Sequence, residues 1–413
     1  MTERRRSVTR QQVLAALFAV LGLMVAAANV AGLGADPLVV SKLALAIPRP
    51  VIEIPTAPAL VLIGVAWVII GAVSLIPAGQ RLGNWPMWIG AVLMLPAIMI
   101  WAAAGKQTNV TSLLSESLRL STPIALGALA GIYAERSGVI NIAIEGMMLT
   151  GAAFGFAAFV FTGSIWMGVL TAIMFGSVMA LMHALLSVTF KTDQIISGTV
   201  INILAIGVTG YLRRQFIVDS GGGRVTLPQI NLPFLSDLPL VGQVLFAGKP
   251  IFYTMLILVL LTHLVLFYTR WGLRMRSVGE NPKAADTVGI NVNLTRYLNV
   301  AISGAIAGLA GAWFSLETVG NFDDGMTAGK GFIALAAMIF GKWTPIGAFG
   351  GAALFGFSEA LGVRFQILRV ELFGAPVPVQ FLQLLPYLVT MVVLAGVIGR
   401  AVGPAAAGKP YEK

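Results

Sequence analysis

The chain has 413 residues, of which 57% are hydrophobic and only 11% charged, with a net charge of +10 and no cysteine. Soluble domains carry about 25% charged residues, so the composition excludes an ordinary soluble protein and points to an all-α, polytopic helical membrane protein. The missing cysteine excludes disulfides, thiolate catalysis and Cys-ligated metals. The Lys and Arg residues sit in short loops and at the termini, which fits cytoplasmic loop bias and not a nucleic-acid-binding face.

Apolar runs that can cross a hydrocarbon core about 30 Å thick recur along the whole length. The expected spans are 13–33, 57–77, 86–104, 113–134, 139–162, 165–190, 195–212, 251–270, 297–319, 331–344, 346–363 and 380–399. The first follows Arg4, Arg5, Arg6 and Arg10. It resembles a signal peptide, but its apolar stretch is longer than a signal h-region, so it reads as a span with a cytoplasmic N-terminus. Alternation then places Arg81, Glu135–Arg136, Lys191–Asp193, 270–296 and the tail with Arg400, Lys409 and Lys413 in the cytoplasm. Segments 34–56, 213–250, 321–330 and 364–379 fall outside. Sixteen of the 27 Lys and Arg residues, counting Lys342, then lie inside. Segment 331–344 is short and contains Gly331, Gly341 and Lys342, so it is a candidate half-helix, and ten to twelve crossings are expected.

Gly127–Gly131, Gly151–Gly155, Gly304–Gly308 and Gly347–Gly351 have the small-xxx-small spacing of close helix packing. A faint echo links 138–146 to 331–341, entering from opposite sides as inverted repeats of transporters do. Polar residues at membrane depth are the candidate transport groups. Asn141 and Glu145, four apart, are expected on one helix face. Glu145 is expected about one-third of the way in, near the inner leaflet, with Arg136 and Lys191 as candidate partners, and a structural or coupling role. Gln194, Ser197 and Asn202 continue the polar stripe and, with Asn141, form a tentative substrate path. Glu317 and Glu359 end two later spans. His183 and His263 lie inside apolar runs, where a satisfied interhelical hydrogen bond explains them.

Between two apolar runs lies a polar island, 270–296. Asn281 is suited to cap a helix, Pro282 to open it and Gly289 to follow its end. The expected product is a helix of about seven residues, roughly 10 Å long, the size of an element that docks into a groove on another protein. Its small Ala284 and Ala285 would permit close approach. The chain has no phosphate-binding G-x-x-x-x-G-K-[ST] loop, no H-E-x-x-H, no Ser-His-Asp set and no Cys/His cluster. A docking element without an engine suggests that another subunit supplies one. No metal site and no cofactor bound by this chain are expected.

Three blocks carry a family resemblance. They are Ser121-Thr122-Pro123 with Glu135-Arg136-Ser137-Gly138-Val139-Ile140-Asn141; Gly279-Glu280-Asn281-Pro282-Lys283-Ala284-Ala285; and Thr327-Ala328-Gly329-Lys330-Gly331 with Gly341-Lys342-Trp343-Thr344-Pro345. Together they resemble the ABC-importer permeases of the branched-chain amino acid, simple sugar and nucleoside group over about 113–410. The first block and the Gly408-Lys409-Pro410-Tyr411 tail are most similar to the nucleoside type.

The resemblance implies the importer permease fold of that group and an ATPase-coupling loop formed by Arg274, Arg276, Gly279, Glu280, Asn281, Pro282, Lys283, Ala284, Ala285, Asp286 and Gly289. It implies a second permease, same or paralogous, an external substrate-binding protein, and a cytoplasmic ATPase that holds ATP and Mg. The setting is the bacterial inner membrane, with both termini cytoplasmic. The expected organisation is a three-span extension over 1–108, a core permease over 109–405 and a cytoplasmic tail over 406–413. A nucleoside is the expected substrate. A simple sugar such as ribose or galactose is the alternative, and an ion-coupled secondary transporter the alternative from another class. A membrane enzyme is disfavoured by the missing catalytic sets.

Overall fold

The structure, a computed structural model, describes residues 10–412 except 35–37, 46–50, 77–80, 82, 84, 218–224, 239, 373–374 and 393–400. Arg4, Arg5, Arg6, Arg400, Lys413 and the end of the expected span 380–399 lie outside the described residues.

The first unit holds α1 (Arg10–Val30), α2 (Thr56–Leu75) and α3 (Trp85–Ala102). Short strands β1 (Val40–Ala44), β2 (Val51–Pro55) and β3 (Gln107–Asn109) form a sheet in the order β2-β1-β3 at one end of these helices. Hydropathy gave no sign of this sheet, because its strands are five residues or shorter. The unit packs on the rest of the chain through Leu43, Leu60, Trp67 and Ile100, which meet Leu113, Ala360, Leu361 and Phe365 in one cluster.

The second unit contains α4 (Val110–Glu135), α5 (Ile144–Thr162), α6 (Ile165–Ala184), α7 (Gln194–Leu212), the five-residue α8 (Val241–Leu245) and α9 (Pro250–Tyr268). It continues with α10 (Arg270–Glu280), α11 (Pro282–Thr287), α12 (Val292–Ala312), α13 (Lys330–Phe340), α14 (Pro345–Ile367), α15 (Val379–Gln383) and α16 (Leu385–Val392). Nine helices among the described residues are long and apolar enough to cross a membrane. Wide π turns extend α6, α7 and α12 at their C-terminal ends.

All four small-residue pairs sit at helix contacts. A Cβ built on Gly151 would meet the Gly308 carbonyl at 2.6 Å, so α5 and α12 cross backbone to backbone at that point. The other contacts place Gly127 against Ala334, Gly155 against Ala172, Gly304 against Ala180 and Gly351 against Ala337.

Two elements depart from a simple bundle. The expected span 139–162 begins as helix only at Ile144; residues 138–143 run non-helically, with Gly138 at φ +90°. Asn141 and Glu145 therefore do not share a helix face. The apolar run is continuous there, and hydropathy alone does not show a break in the backbone. The second departure is α13. Its 11 residues span about 16 Å, half a hydrocarbon core. It is the half-helix that the short run 331–344 allowed, and it ends in a tight turn at Gly341–Thr344 before α14.

The loops separate onto two faces. Arg136, Lys191, α10, α11, Lys342 and the tail share one face, linked by contacts between them. The β1–β3 sheet, 225–249 and 368–372 lie at the other ends of the same helices.

Candidate functional site

On the basic face the island folds as two helices. Thr269 caps α10 by accepting from the Gly272 amide at 3.2 Å, and Asn281 caps α11 by accepting from the Ala284 amide at 3.1 Å. Gly289 closes the element at φ +83°, its N–H bonded to the Asp286 carbonyl at 2.9 Å. The capping residues read from the sequence occupy these positions. The reading missed α10. Its buried Gly272, Met275, Val278 and Gly279 recur at helical spacing, a signal that its arginines obscured.

The coupling residues named above divide by exposure. Arg274, Glu280, Asn281, Lys283, Ala284 and Gly289 face solvent, beside Leu273 and Val288. Arg276, Pro282 and Asp286 are half-buried, and the Arg276 guanidinium lies over the Phe267 ring at 5.3 Å. Gly279 and Ala285 turn inward. Ala285 packs with Val278 and Val292, so it serves this chain's own core and is not offered to a groove elsewhere. A Cβ on Gly279 would meet the Arg136 carbonyl at 2.2 Å.

Arg136 donates to the Trp343 carbonyl from Nε and Nη2, both at 3.1 Å, and from Nη2 to the Lys342 carbonyl at 3.3 Å. Burial holds its guanidinium below the usual arginine range, and nearby Glu280 partly offsets this. Lys191 pairs with Glu412 at 3.0 Å. Neither cation reaches Glu145, so both expected pairings are corrected.

The tentative path residues do come together, around the non-helical segment 138–143. Gln194 Oε1 accepts from the Ile140 amide at 2.7 Å. Asn202 donates to the Ile142 carbonyl at 3.0 Å and accepts from the Gly146 amide at 2.8 Å. Asn141 donates to Ser303 Oγ at 2.9 Å. His183 bridges the Ile140 carbonyl and Ser197 Oγ, the satisfied role expected of it. All six side chains are buried. A broken helix leaves amides and carbonyls without helical partners, and Gln194, Asn202 and His183 supply them, while Asn141 ties the segment to α12 through Ser303. Gln194 Nε2 and Asn141 Oδ1 are buried without a hydrogen-bond partner among the described residues.

Glu145 does comparable work on a different element. Its carboxylate accepts from Thr327 Oγ1 at 2.6 Å, the Gly329 amide at 2.8 Å and the Gly331 amide at 2.6 Å. It therefore caps the N-terminus of α13, where a negative charge complements the free N–H groups. The two segments of the sequence echo meet at this contact. Two rulers place Glu145 relative to the basic face. The α13 helix spans about 16 Å from Gly331 to the turn that holds Arg136. On α7, Asn202 beside Gly146 lies about 12 Å above Gln194 beside Ile140. Glu145 thus lies about 12–16 Å along these helices from the turn that holds Arg136.

Next to it is a group that the sequence reading did not find. Lys330 Nζ bonds both oxygens of Glu359 at 2.7 Å, with side chains 13% and 30% exposed. Glu359 is about 21 Å along α14 from Pro345. Lys330 had been placed in an external loop and Glu359 near a span end. Only the fold of α13 back against α14 joins them. Further toward the opposite face, Arg213 pairs with Asp323 at 3.0 Å and Asp324 at 3.4 Å. Among the described residues, no group of His, Asp and Glu could hold a metal ion.

The family described as branched-chain amino acid transport system / permease component matches residues 113–394. The chain is 38% identical to the guanosine ABC transporter permease protein NupQ of Bacillus subtilis, over 72% of this chain and 95% of that protein. It is also 38% identical to the nucleoside ABC transporter permease protein NupC of Lactococcus lactis, over 73% and 96%. TsgC13 of Haloferax volcanii, provisionally named a glucose ABC transporter permease, is 38% identical over 63% of this chain and 79% of its own length. No solved structure matches. The chain belongs to the branched-chain amino acid transport system / permease component family and is a multi-pass ABC transporter permease.

Proposed function

We propose that this permease is the membrane subunit of an ATP-driven nucleoside importer. The similarity to two nucleoside permeases along nearly their full length supports the substrate class. The observation that carries the transport route is the Lys330–Glu359 pair, partly exposed beside the Glu145-capped half-helix. Charge within a membrane span is costly unless it meets water or a partner. The pair therefore lines the route, at the contact between two permeases, and the second permease is this chain again or a paralogue. Asn141, Gln194, Ser197 and Asn202 support that route from behind by holding the broken segment.

Family membership weighs against an ion-coupled secondary transporter.

The exposed faces of α10 and α11 dock the ATPase, which binds ATP and Mg, while this chain binds no cofactor. An external binding protein delivers the substrate to the opposite face. The basic loops favour the cytoplasm for the α10–α11 face, with both termini on that side of a bacterial inner membrane. Residues 1–108 form a peripheral extension to the core permease.

A sugar is the second reading, favoured by the likeness to TsgC13. Uptake by vesicles that contain the permeases, ATPase and binding protein decides between them. ATP-dependent accumulation of nucleosides, with no competition from ribose, galactose or glucose, supports the proposal. Accumulation of a sugar alone overturns it.

A further inference from the structure

Residues 401–412 contain no helix or strand, yet they are pinned along the basic face. The Ala406 amide donates to the Gly279 carbonyl at 2.8 Å and the Ala405 amide to Glu280 Oε2 at 3.3 Å, which attaches the tail to the end of α10. Tyr411 packs on the Val278, Ala285 and Val292 cluster, which attaches it to α11. Lys191, in the α6–α7 loop, pairs with Glu412.

The same dozen residues also touch the broken segment. Gly408, at φ +78°, lies so close to Ile140 that a Cβ there would sit 2.8 Å from its Cδ1. Ile140 is the residue held by Gln194 and His183. Arg296 of α12 is 0% exposed and donates from Nη1 to the Lys409 carbonyl at 3.2 Å, while its Nε and Nη2 have no partner. A Cβ on Gly138 would lie 2.9 Å from that Nη2. The tail carbonyl is thus the acceptor that keeps a buried guanidinium seated against the start of the broken segment. A buried cation with so few acceptors is tolerated only where its surroundings hold firm.

We propose that residues 401–412 form a transmission strap. It stays attached to α10 and α11 and carries their displacement to segment 138–143, and through Gly146 and Glu145 to the α13 half-helix. The proposal rests on the reading that α10 and α11 dock the ATPase. A displaced helix needs a packed, hydrogen-bonded connection to move a distant element. α10 also meets the start of the broken segment directly, where Gly279 packs on Arg136 and Gly138.

The test uses the complete complex in vesicles, reading substrate transported per ATP hydrolysed together with ATPase co-purification. Removing residues 401–413, or making Gly408→Ala at a backbone angle that L side chains rarely adopt, should lower that ratio about tenfold, within the usual range of coupling energies. The ATPase should still co-purify. The chain has no cysteine. A Lys191→Cys, Glu412→Cys variant, outside the α10–α11 docking face, joined by a short thiol cross-linker should therefore transport as before, because the strap does not let go. Normal coupling without the tail overturns the proposal. So does loss of transport on cross-linking that a cleavable linker restores, which would mean that the tail must detach. If the truncated chain fails to fold, Gly408→Ala and the cross-link still decide. Absence of any ATPase from the wild-type complex is a separate result and overturns the docking reading instead.

Discussion

Among the described residues, Glu145 is the side chain that caps α13, and replacing it by alanine removes that cap. Three donors lose their acceptor: Thr327 Oγ1 and the amides of Gly329 and Gly331. A hydrogen bond to a charged group contributes about 1.5–3 kcal/mol. Allowing for water at a half-buried site, the loss should be about 3–5 kcal/mol. In a chain of this size that corresponds to a drop of about 3–6 °C in the apparent Tm. Glu145→Gln keeps one acceptor oxygen but turns an amide donor toward an N–H group, so its drop should be smaller. Thr327→Val removes one bond and should be smaller again. Combining it with Glu145→Ala should add little, because the bond is already gone. Thermal unfolding of the purified permease in detergent, followed by fluorescence-detected size exclusion, gives the order. If Glu145→Ala melts with the wild type, the carboxylate does not hold the half-helix, and the reasoning fails.

Asn202→Leu should destabilise the chain by about 2–4 kcal/mol, since it strands the Ile142 carbonyl and the Gly146 amide; an unchanged Tm with reduced uptake would instead place Asn202 on the route. Gly279→Ala should force α10 off Arg136 and cost about 1–3 kcal/mol, with weaker ATPase co-purification; a variant that binds the ATPase normally would refute the tight seat. Val288→Arg, on an exposed residue, should leave the Tm unchanged while reducing ATPase association, as read by pull-down. Lys330→Met leaves the Glu359 carboxylate unpaired and should lower the Tm more than the double change Lys330→Met, Glu359→Leu does, as compared by melting; equal drops would refute the pairing.

Spans were legible because hydropathy is a property of consecutive residues. The half-helix was legible in the brevity of 331–344, and the α11 caps in Asn281, Pro282 and Gly289. What stayed hidden depended on residues far apart in the chain. Lys330 and Glu359 are joined by an α13–α14 hairpin, and neither segment shows the pair alone. The break at 138–143 lies in an unbroken apolar run. Gly138 and Asn141 hinted at it, but Asn202 and Gln194, which stabilise it, come from the next span but one. The tail has no periodicity, so its attachment to α10, α12 and Ile140 could not be read from residues 401–412 alone.

The central claim, that nucleosides pass the Lys330–Glu359 pair, is tested most directly by thiol labelling. A Lys330→Cys, Glu359→Gln variant carries one thiol and no unpaired charge at that point. In the complete complex, a water-soluble thiol reagent should modify it from one side of the membrane in one nucleotide state and from the other side in another. A saturating nucleoside should slow that reaction, and ribose or galactose should not. A thiol that is never modified in any nucleotide state, or one modified at the same rate whatever is being transported, would contradict the account.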